Sequence, residues 1–209
     1  MTRLVLASTS PARLLLLLNG GIEPVVVSPD ADERDLELQA RAAGKINATG
    51  DLVGLLAKAK AESVLELPQA EGNLVLGCDS ALDFEGEALG KPHDPEVAVA
   101  RWKRMRGKNG RLYSGHYLID NRDPAHPIGV GAVTSSVVHF ADLTDGEIEA
   151  YVATGEPLKV AGAFTIDGLG GAFVDRIEGD PHTVVGLSLP VLRKLVREMG
   201  VDYTSLWNR

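Results

Sequence analysis

Several polar side chains lie in one short elbow of the sequence, where they could bind an anion. The segment LASTSPAR (6–13) contains the end of an apolar run and is followed by five leucines. We predict a strand and then a helix with Ser10 at its N-cap and Pro11 at its first position, where a missing N–H costs nothing. The helix N-terminus carries a partial positive charge, and Ser8, Ser10 and Arg13 add groups suited to phosphate. The alternative is that Ser10 only caps the helix and Arg13 only pairs with a surface carboxylate.

Asp79 and Lys91 are candidates for proton transfer and charge neutralisation. Asp79 directly follows the apolar run NLVLGC, so we expect it at the C-terminal end of a buried strand, where open α/β sheets gather their ligands. That place suits a base, although an aspartate there can also simply cap the following turn. Lys91 lies between Gly90 and Pro92 after a short predicted hairpin, and it is either aimed at the same site or solvated.

An acidic segment and one helical lysine complete the set. SPDADE (28–33) places Glu33 and two aspartates after the apolar run EPVVVS. Carboxylates are the hard oxygen ligands that Mg²⁺ takes, although such a segment can also be a solvated loop. Lys60 lies on a predicted helix whose apolar residues face the core, whereas we expect Lys58 on the same helix to be exposed.

The elements that must position these side chains alternate along the chain. Strand-like runs occur at 3–7, 23–28, 73–78, 81–84 and 133–140, and helix-like runs at about 11–19, 51–66, 95–106, 144–153 and 189–199. This alternation predicts an α/β fold with a mixed twisted sheet flanked by helices. Thr144 and Glu147 predict a capping box, and segments 40–50 and 121–128 are expected to be exposed loops.

Composition narrows the class of partner. With 209 residues, 44% of them hydrophobic, the chain can bury a core without disulfides or metal ions. Its formal net charge of -8 argues against nucleic acid or an anionic membrane as the main partner.

The lone Cys78 suits a reducing cytoplasm. The apolar runs are too short for a membrane span or a signal peptide, so we expect neither export nor membrane insertion and a cytoplasmic location.

Other motifs were weighed and set aside. The five histidines show no HxH or HxxxH spacing, so a zinc site is not expected. The sequence has no P-loop and no GxSxG motif, which disfavours kinase-type and serine-hydrolase chemistry. We expect Trp102 and Phe164 in the core, His182 in a loop and Cys78 as a small buried hydrophobic residue.

Taken together, the motifs occur in a specific order over essentially the whole chain: LASTSPAR, SPDADE, AKA, GCDS, GKP, SG and AGAFTIDG…IEGD…VVGL. This ordered set resembles the Maf family of nucleoside triphosphate pyrophosphatases. The resemblance implies one Maf-like domain over residues 1–209, with two α/β lobes and a central cleft of the Maf/ITPase-like kind. It also implies hydrolysis of a nucleoside triphosphate to the monophosphate and pyrophosphate with Mg²⁺ or Mn²⁺, usually by a homodimer that clears excess or modified nucleotides.

The family's functional positions match six residues that the motifs had already singled out. They are Ser8, Arg13, Glu33, Lys60, Asp79 and Lys91. The resemblance thus assigns the catalytic role to Asp79 and the metal to Glu33 and Asp79. Ser8, Ser10, Arg13, Lys60 and Lys91 are expected to bind the substrate.

Departures from the family pattern concern the substrate more than the reaction. The first arginine often found after Ser-Pro is Ala12, and the threonine common after the catalytic aspartate is Ser80. Asp167 stands where many members have Gln or Glu, while Gly110 and Ser114 replace a histidine and a threonine. The base, whether that of dTTP, UTP or a modified nucleotide, therefore cannot be transferred from the family.

Two other functions remain open from the sequence. The first is a non-catalytic regulator, for instance of cell division, that binds a nucleotide without turning it over. The second is a phosphomonoesterase that uses Asp79 as a nucleophile and releases orthophosphate, although Asp79 is not part of the DxD pattern often seen in such enzymes.

Overall fold

The computed structural model of the chain describes residues 2–209. Its strands are β1 (Leu4–Ala7), β2 (Val25–Val27), β3 (Leu74–Phe84), β4 (Glu87–Leu89), β5 (Asn109–Asp120), β6 (Ile128–Phe140) and β7 (Val174–Glu178). Its α-helices are α1 (Pro11–Asn19), α2 (Glu33–Ala42), α3 (Thr49–Glu62), α4 (Pro95–Met105), α5 (Asp145–Ala153), α6 (Pro181–Val185) and α7 (Leu189–Glu198). Short 3₁₀ turns occupy Glu156–Lys159, Ala161–Ala163, Leu169–Phe173 and Tyr203–Leu206.

The strands form one seven-stranded mixed sheet, in the order β2-β1-β3-β5-β6-β7 with β4 paired to β3. Strand β1 is parallel to both β2 and β3, whereas β3 with β4 and β6 with β7 are antiparallel pairs. The chain divides into two compact units. The first comprises Met1–Asp79, Ser114–Thr134 and Gly186–Arg209, and the second comprises Ser80–Tyr113 and Ser135–Val185. The mixed α/β fold class predicted from the sequence is confirmed.

The first unit covers both faces of its strands. Alternate residues of a strand point to opposite faces, and β1 divides accordingly. Leu6 packs in a cluster with Leu17 of α1 and Leu195 of α7, while Val5 packs in another cluster with Ala61 of α3. Buried on both sides, the parallel strands can be almost continuously apolar.

Helix α3 approaches the strands of the first unit very closely. A Cβ atom built on Gly77 would lie within 3.0 Å of the Ala57 carbonyl oxygen, and one on Gly115 within 3.0 Å of the Val53 carbonyl oxygen. Real Cβ atoms do not approach main-chain oxygens so closely, so both strand positions need glycine. This spacing brings the helix that carries Lys60 against the strand that carries Asp79.

The second unit is built around a fully buried tryptophan. Trp102 of α4 makes edge-to-face ring contacts with Phe140, Tyr151 and Phe173, at centroid distances of 5.6, 5.6 and 6.1 Å. Its indole N–H donates to the Ala163 carbonyl at 2.8 Å, so the polar group of the buried ring is satisfied. Trp102, Phe164 and Cys78 are all buried, which confirms the sequence expectation for these three residues.

Most predicted elements match the structure within a few residues. The predicted helices at 11–19, 51–66, 95–106, 144–153 and 189–199 correspond to α1, α3, α4, α5 and α7. The predicted capping box of α5 is also present, since Thr144 Oγ1 accepts from the Glu147 amide at 3.3 Å and Glu147 accepts from the Thr144 amide at 2.8 Å. Short-range capping chemistry is thus readable from the sequence.

Some expectations were wrong. The loop predicted at 40–50 is shorter, because α2 ends at Ala42 and α3 begins at Thr49. The exposed loop predicted at 121–128 is confirmed over 121–127, except that Asn121 is buried and that β6 begins at Ile128. His182 lies on the short helix α6, not in a loop.

The predicted strands 73–78 and 81–84 are one strand, β3, so Asp79 lies in its middle and not at its end. The parallel pairing of β3 with β1 does stop at Gly77, two residues earlier, because β1 ends there.

Within residues 2–209, no helix combines the length and apolar character needed to cross a membrane. The single domain over residues 1–209 stays a prediction.

Candidate active site

The elbow between β1 and α1 begins the site in the first unit, and its geometry follows from local sequence. Ser10 is the N-cap of α1, where its hydroxyl accepts from the Arg13 amide at 3.4 Å, and Pro11 is the first helical residue, as predicted. Ser8 is buried and its hydroxyl accepts from the Ser10 amide at 3.2 Å. The elbow therefore presents two serine hydroxyls at the positive end of a helix.

Arg13 turns its guanidinium into the protein. Nε donates to the Gly186 carbonyl at 2.8 Å, and one terminal nitrogen donates to the Cys78 carbonyl at 2.8 Å and to Ser8 Oγ at 3.2 Å. The residue is only 9% exposed. Arg13 thus joins the elbow to β3 and to the segment before α7. The expected alternative, a surface ion pair, is wrong.

Lys60 lies between two carboxylates. Its Nζ is 2.6 Å from Asp79 Oδ1 and 3.0 Å from Glu33 Oε1. The side chains of Lys60 and Asp79 are 9% and 13% exposed, whereas that of Glu33 is 50% exposed. Lys58, two residues earlier on α3, is largely exposed, as predicted. The structure therefore brings Glu33, Lys60 and Asp79 together, from α2, α3 and β3.

Burial and neighbouring charges act in opposite directions on Asp79. Burial raises the pKa of its carboxyl above the ordinary value, and the cations of Lys60 and Arg13 act to lower the same pKa without cancelling the rise. Burial likewise raises the pKa of the adjacent Cys78 thiol to about 11, so this thiol stays protonated at neutral pH. A carboxyl whose pKa is raised by burial is a better proton acceptor than an exposed one, once it is ionised.

The donor set was compared with what a divalent cation requires. Within residues 2–209, no group of three or more His, Cys, Asp and Glu side chains is arranged to hold a metal ion. Two carboxylates, those of Glu33 and Asp79, do converge on one point, at which the Lys60 ammonium lies. Because Mg²⁺ is usually held by one or two carboxylates together with substrate phosphates, this pair fits a cation that arrives with its substrate.

Two groups of residues fall outside this cluster. Lys91 is exposed in the second unit, after the β3–β4 hairpin that was predicted for it. Asp32, from the acidic segment, caps α2 by accepting from the Asp35 amide at 3.0 Å. The acidic segment is therefore a largely exposed loop over 28–32 that ends at the N-cap of α2, and Glu33 is the first residue of the helix.

Main-chain groups of the site were not predictable from the sequence. The carbonyls of Cys78 and Gly186 hold Arg13, but a carbonyl has no signature in a sequence. Gly77 was also missed, although a glycine inside an apolar strand is a signal of close backbone approach.

Known proteins resemble this chain over most of its length. Residues 3–199 match the family described as Maf-like protein. A nucleoside triphosphate pyrophosphatase of Leifsonia xyli is 54% identical over 209 residues, covering 99% of this chain and 97% of that protein. One of Salinispora tropica is 52% identical, covering 99% of this chain and 88% of that protein.

One solved structure was also compared. The nucleoside-triphosphatase (dITP/XTP pyrophosphatase) of Mycobacterium abscessus aligns with a TM-score of 0.37 and 13% identity, covering 95% of this chain and 94% of that one. A likeness at this level supports no inference. The family match over residues 3–199 and identities above 50% over nearly the whole chain suffice: the chain belongs to the Maf family.

Proposed function

We propose that this chain is a nucleoside triphosphate pyrophosphatase that uses Asp79 as its general base. The relatives at 54% and 52% identity carry that name, and they match this chain over nearly its full length. The observation that carries the proposal is the cluster in the first unit. There the Asp79 carboxylate bonds the buried Lys60 ammonium, and Arg13 links the serine-lined helix start to the carbonyl of Cys78, the residue before Asp79. Such a cluster combines a proton acceptor with an anion site.

The elbow is proposed to bind the triphosphate. The Ser8 hydroxyl accepts two hydrogen bonds from protein groups, so its own O–H is left to donate, and a phosphate oxygen accepts such a bond. Ser10 contributes a second hydroxyl at the N-terminus of α1, and Arg13 and Lys60 add positive charge. These groups offset the negative charge of a triphosphate in a protein whose net charge is -8. Lys91 as a further phosphate ligand stays a prediction.

Glu33 and Asp79 are proposed to hold Mg²⁺ or Mn²⁺ together with the substrate. When bound, such a cation offsets phosphate charge and lowers the pKa of coordinated water. Lys60 lies close to both carboxylates and limits their mutual repulsion before the substrate arrives.

The chemical step is proposed to be an attack of water on the α-phosphorus. Asp79 orients the water and accepts its proton, while the water oxygen forms the new bond to phosphorus. The bond from the α-phosphorus to the oxygen bridging the α- and β-phosphates breaks, and pyrophosphate leaves with that electron pair. General-base action of this kind contributes on the order of 10²–10⁴-fold to the rate.

The proposal is tested by measuring pyrophosphate and orthophosphate release in parallel. The substrates are a panel of standard and modified nucleoside triphosphates, each with Mg²⁺ or Mn²⁺. We expect pyrophosphate release by the wild type and a loss of about 10²–10⁴-fold in Asp79→Asn. The matched control is Asp83→Asn on the same strand, since Asp83 belongs to the second unit and accepts from the Gly86 amide in the β3–β4 hairpin. It should keep the wild-type rate.

The outcomes separate the three functions. Orthophosphate as the first product would favour the phosphomonoesterase, and nucleotide binding without release of either product would favour the regulator. An Asp79→Asn variant that is folded and fully active would overturn the base assignment. The preferred base, the homodimer and the cytoplasmic location stay predictions.

A further inference from the structure

Arg13 directs its donors at the protein. Three of its hydrogen bonds end on Ser8 Oγ, the Cys78 carbonyl and the Gly186 carbonyl. An arginine that binds phosphate typically presents its two-pronged face to the ligand. In this chain both the Nε side and one terminal nitrogen are committed to acceptors within the fold. The contacts therefore indicate a task other than direct recognition of phosphate.

The Cys78 carbonyl is the informative acceptor, because it belongs to the peptide bond that leads into Asp79. A peptide group is planar, and one plane contains the Cys78 oxygen and the Cα atom of Asp79. A hydrogen bond of 2.8 Å to that oxygen therefore fixes the plane from which the Asp79 side chain departs. The main chain beside the proposed base is held by a side chain from α1.

The same nitrogen of Arg13 also contacts the proposed anion site. It donates to Ser8 Oγ at 3.2 Å, and Ser8 in turn accepts from the Ser10 amide. A rigid, planar guanidinium thus ties the elbow and the Asp79 peptide at a fixed separation, and the Nε bond to Gly186 sets its orientation. Reactions that depend on alignment lose about 10²-fold when a catalytic group is displaced by 1 Å.

We propose that Arg13 is a positioning residue that holds Asp79 at its working distance from the serine-lined anion site, through the Cys78 carbonyl and Ser8. This inference rests on the proposed pyrophosphatase function. It assigns Arg13 to the rate of the chemical step, whereas a phosphate ligand would act on nucleotide affinity.

The test replaces the guanidinium while keeping its charge. Arg13→Lys retains a cation but loses the planar fork that reaches three acceptors. With the best nucleoside triphosphate of the panel, we expect kcat to fall roughly 10–100-fold and KM to change less than about threefold. The matched control is Arg193→Lys, since Arg193 is exposed on α7, and it should keep both constants.

A second measurement isolates binding from chemistry. In the Asp79→Asn background, the Kd of the same nucleotide is measured by calorimetry with and without Arg13→Lys. A positioning role predicts that the two Kd values agree within about threefold. It also predicts that Arg13→Lys lowers the residual rate of Asp79→Asn only slightly, because the effects of two residues that act through one another do not add. Rates are normalised to the folded fraction from thermal unfolding. If Arg13→Lys does not fold, Arg13→Gln replaces it and is judged by kcat alone, because it also removes the charge.

Two results would contradict the positioning role of Arg13. An Arg13→Lys enzyme with wild-type kcat overturns the inference, and so does a nucleotide affinity more than about tenfold weaker in the Asp79→Asn background, which would show direct contact with phosphate. A wild type that releases no pyrophosphate from any nucleotide overturns the proposed function, and the inference with it. Release by the wild type together with either contrary result removes the inference alone.

Discussion

The two units of the chain are stabilised by different kinds of buried side chain. Within residues 2–209, eight of the ten buried polar or charged residues lie in the first unit, including Arg13 and Lys60. The second unit buries two, Ser136 and Thr183, and fills its core with aromatic rings around Trp102. Buried charges cost free energy unless they are paired, and the two buried cations, Arg13 and Lys60, both belong to the unit that holds the proposed active site.

The contrast concerns precision as well as stability. In the second unit, rings in edge-to-face contact gain from burial and from their quadrupoles. In the first unit, the buried cations find partners at set distances, which fixes geometry more than it adds stability. We therefore expect substitutions in the second unit to act on unfolding and those in the cluster of the first to act on turnover.

The largest expected effect on stability is at Trp102. Trp102→Ala removes a fully buried ring and should lower the free energy of unfolding by about 3–5 kcal/mol. The chain's other tryptophan, Trp207 in the first unit, is 54% exposed and is the matched control. Urea unfolding should show a loss of less than about 1 kcal/mol for Trp207→Ala. Equal losses would show that the aromatic cluster does not dominate the second unit's core.

Lys60 is expected to control turnover. Lys60→Gln removes the ammonium between Glu33 and Asp79, so pyrophosphate release should fall on the order of 10²-fold. Lys60 also lowers the pKa of Asp79, so its loss should raise that pKa further and move the acidic limb of the pH–rate profile to higher pH. The exposed Lys58 of the same helix provides the control, Lys58→Gln. An unmoved acidic limb would mean that Asp79 is not the group that titrates.

A smaller effect is expected at Glu156, a carboxylate of the second unit that accepts hydrogen bonds from the Tyr151 hydroxyl and from two main-chain amides. Burial alone would raise the pKa of its carboxyl, but hydrogen bonds from the Gly170 and Leu169 amides and the Tyr151 hydroxyl outweigh burial and lower it. The carboxylate therefore stabilises the fold above its ordinary pKa, and this contribution is lost as pH falls through the lowered value. Glu156→Gln should cost about 1–2 kcal/mol at pH 7.

The pH dependence of thermal unfolding tests whether the ionised Glu156 carboxylate is responsible for this loss. The difference between wild type and Glu156→Gln in thermal unfolding should shrink as the pH falls below about 4.5, the ordinary value of this carboxyl. Glu149→Gln, at an exposed position on α5, should behave as wild type throughout. A difference that persists unchanged in acid would assign the loss to packing and not to the charge.

The sequence predicted those parts of the site that depend on neighbouring residues. The N-cap at Ser10 and the proline at the first helical position are local, and the periodicity of α3 separates buried Lys60 from exposed Lys58. Contacts between distant segments were not predictable. The bond from Arg13 to Gly186 spans 173 positions, and nothing in either segment specifies the other.

Strand β5 illustrates a second limit. Its sequence, NGRLYSGHYLID, mixes glycine, charge and polarity, so it lacks the apolar alternation by which strands are recognised. Glycine weakens a strand when the strand is considered alone, yet Gly115 allows the main chain of α3 to approach β5 closely. Tertiary packing therefore decided the conformation against local propensity.

The contact between Lys60 and Asp79 in the proposed active site depends on Gly77. The reach of the Lys60 ammonium to Asp79 is fixed by how closely α3 lies on β3, and that closeness exists because position 77 has no side chain. In genetic terms, a Gly77→Ala mutation would have the phenotype of losing a catalytic group, although glycine has no side chain that could take part in catalysis. Natural selection for the reaction would therefore keep glycine at position 77, because a Cβ atom there would push α3 away from β3.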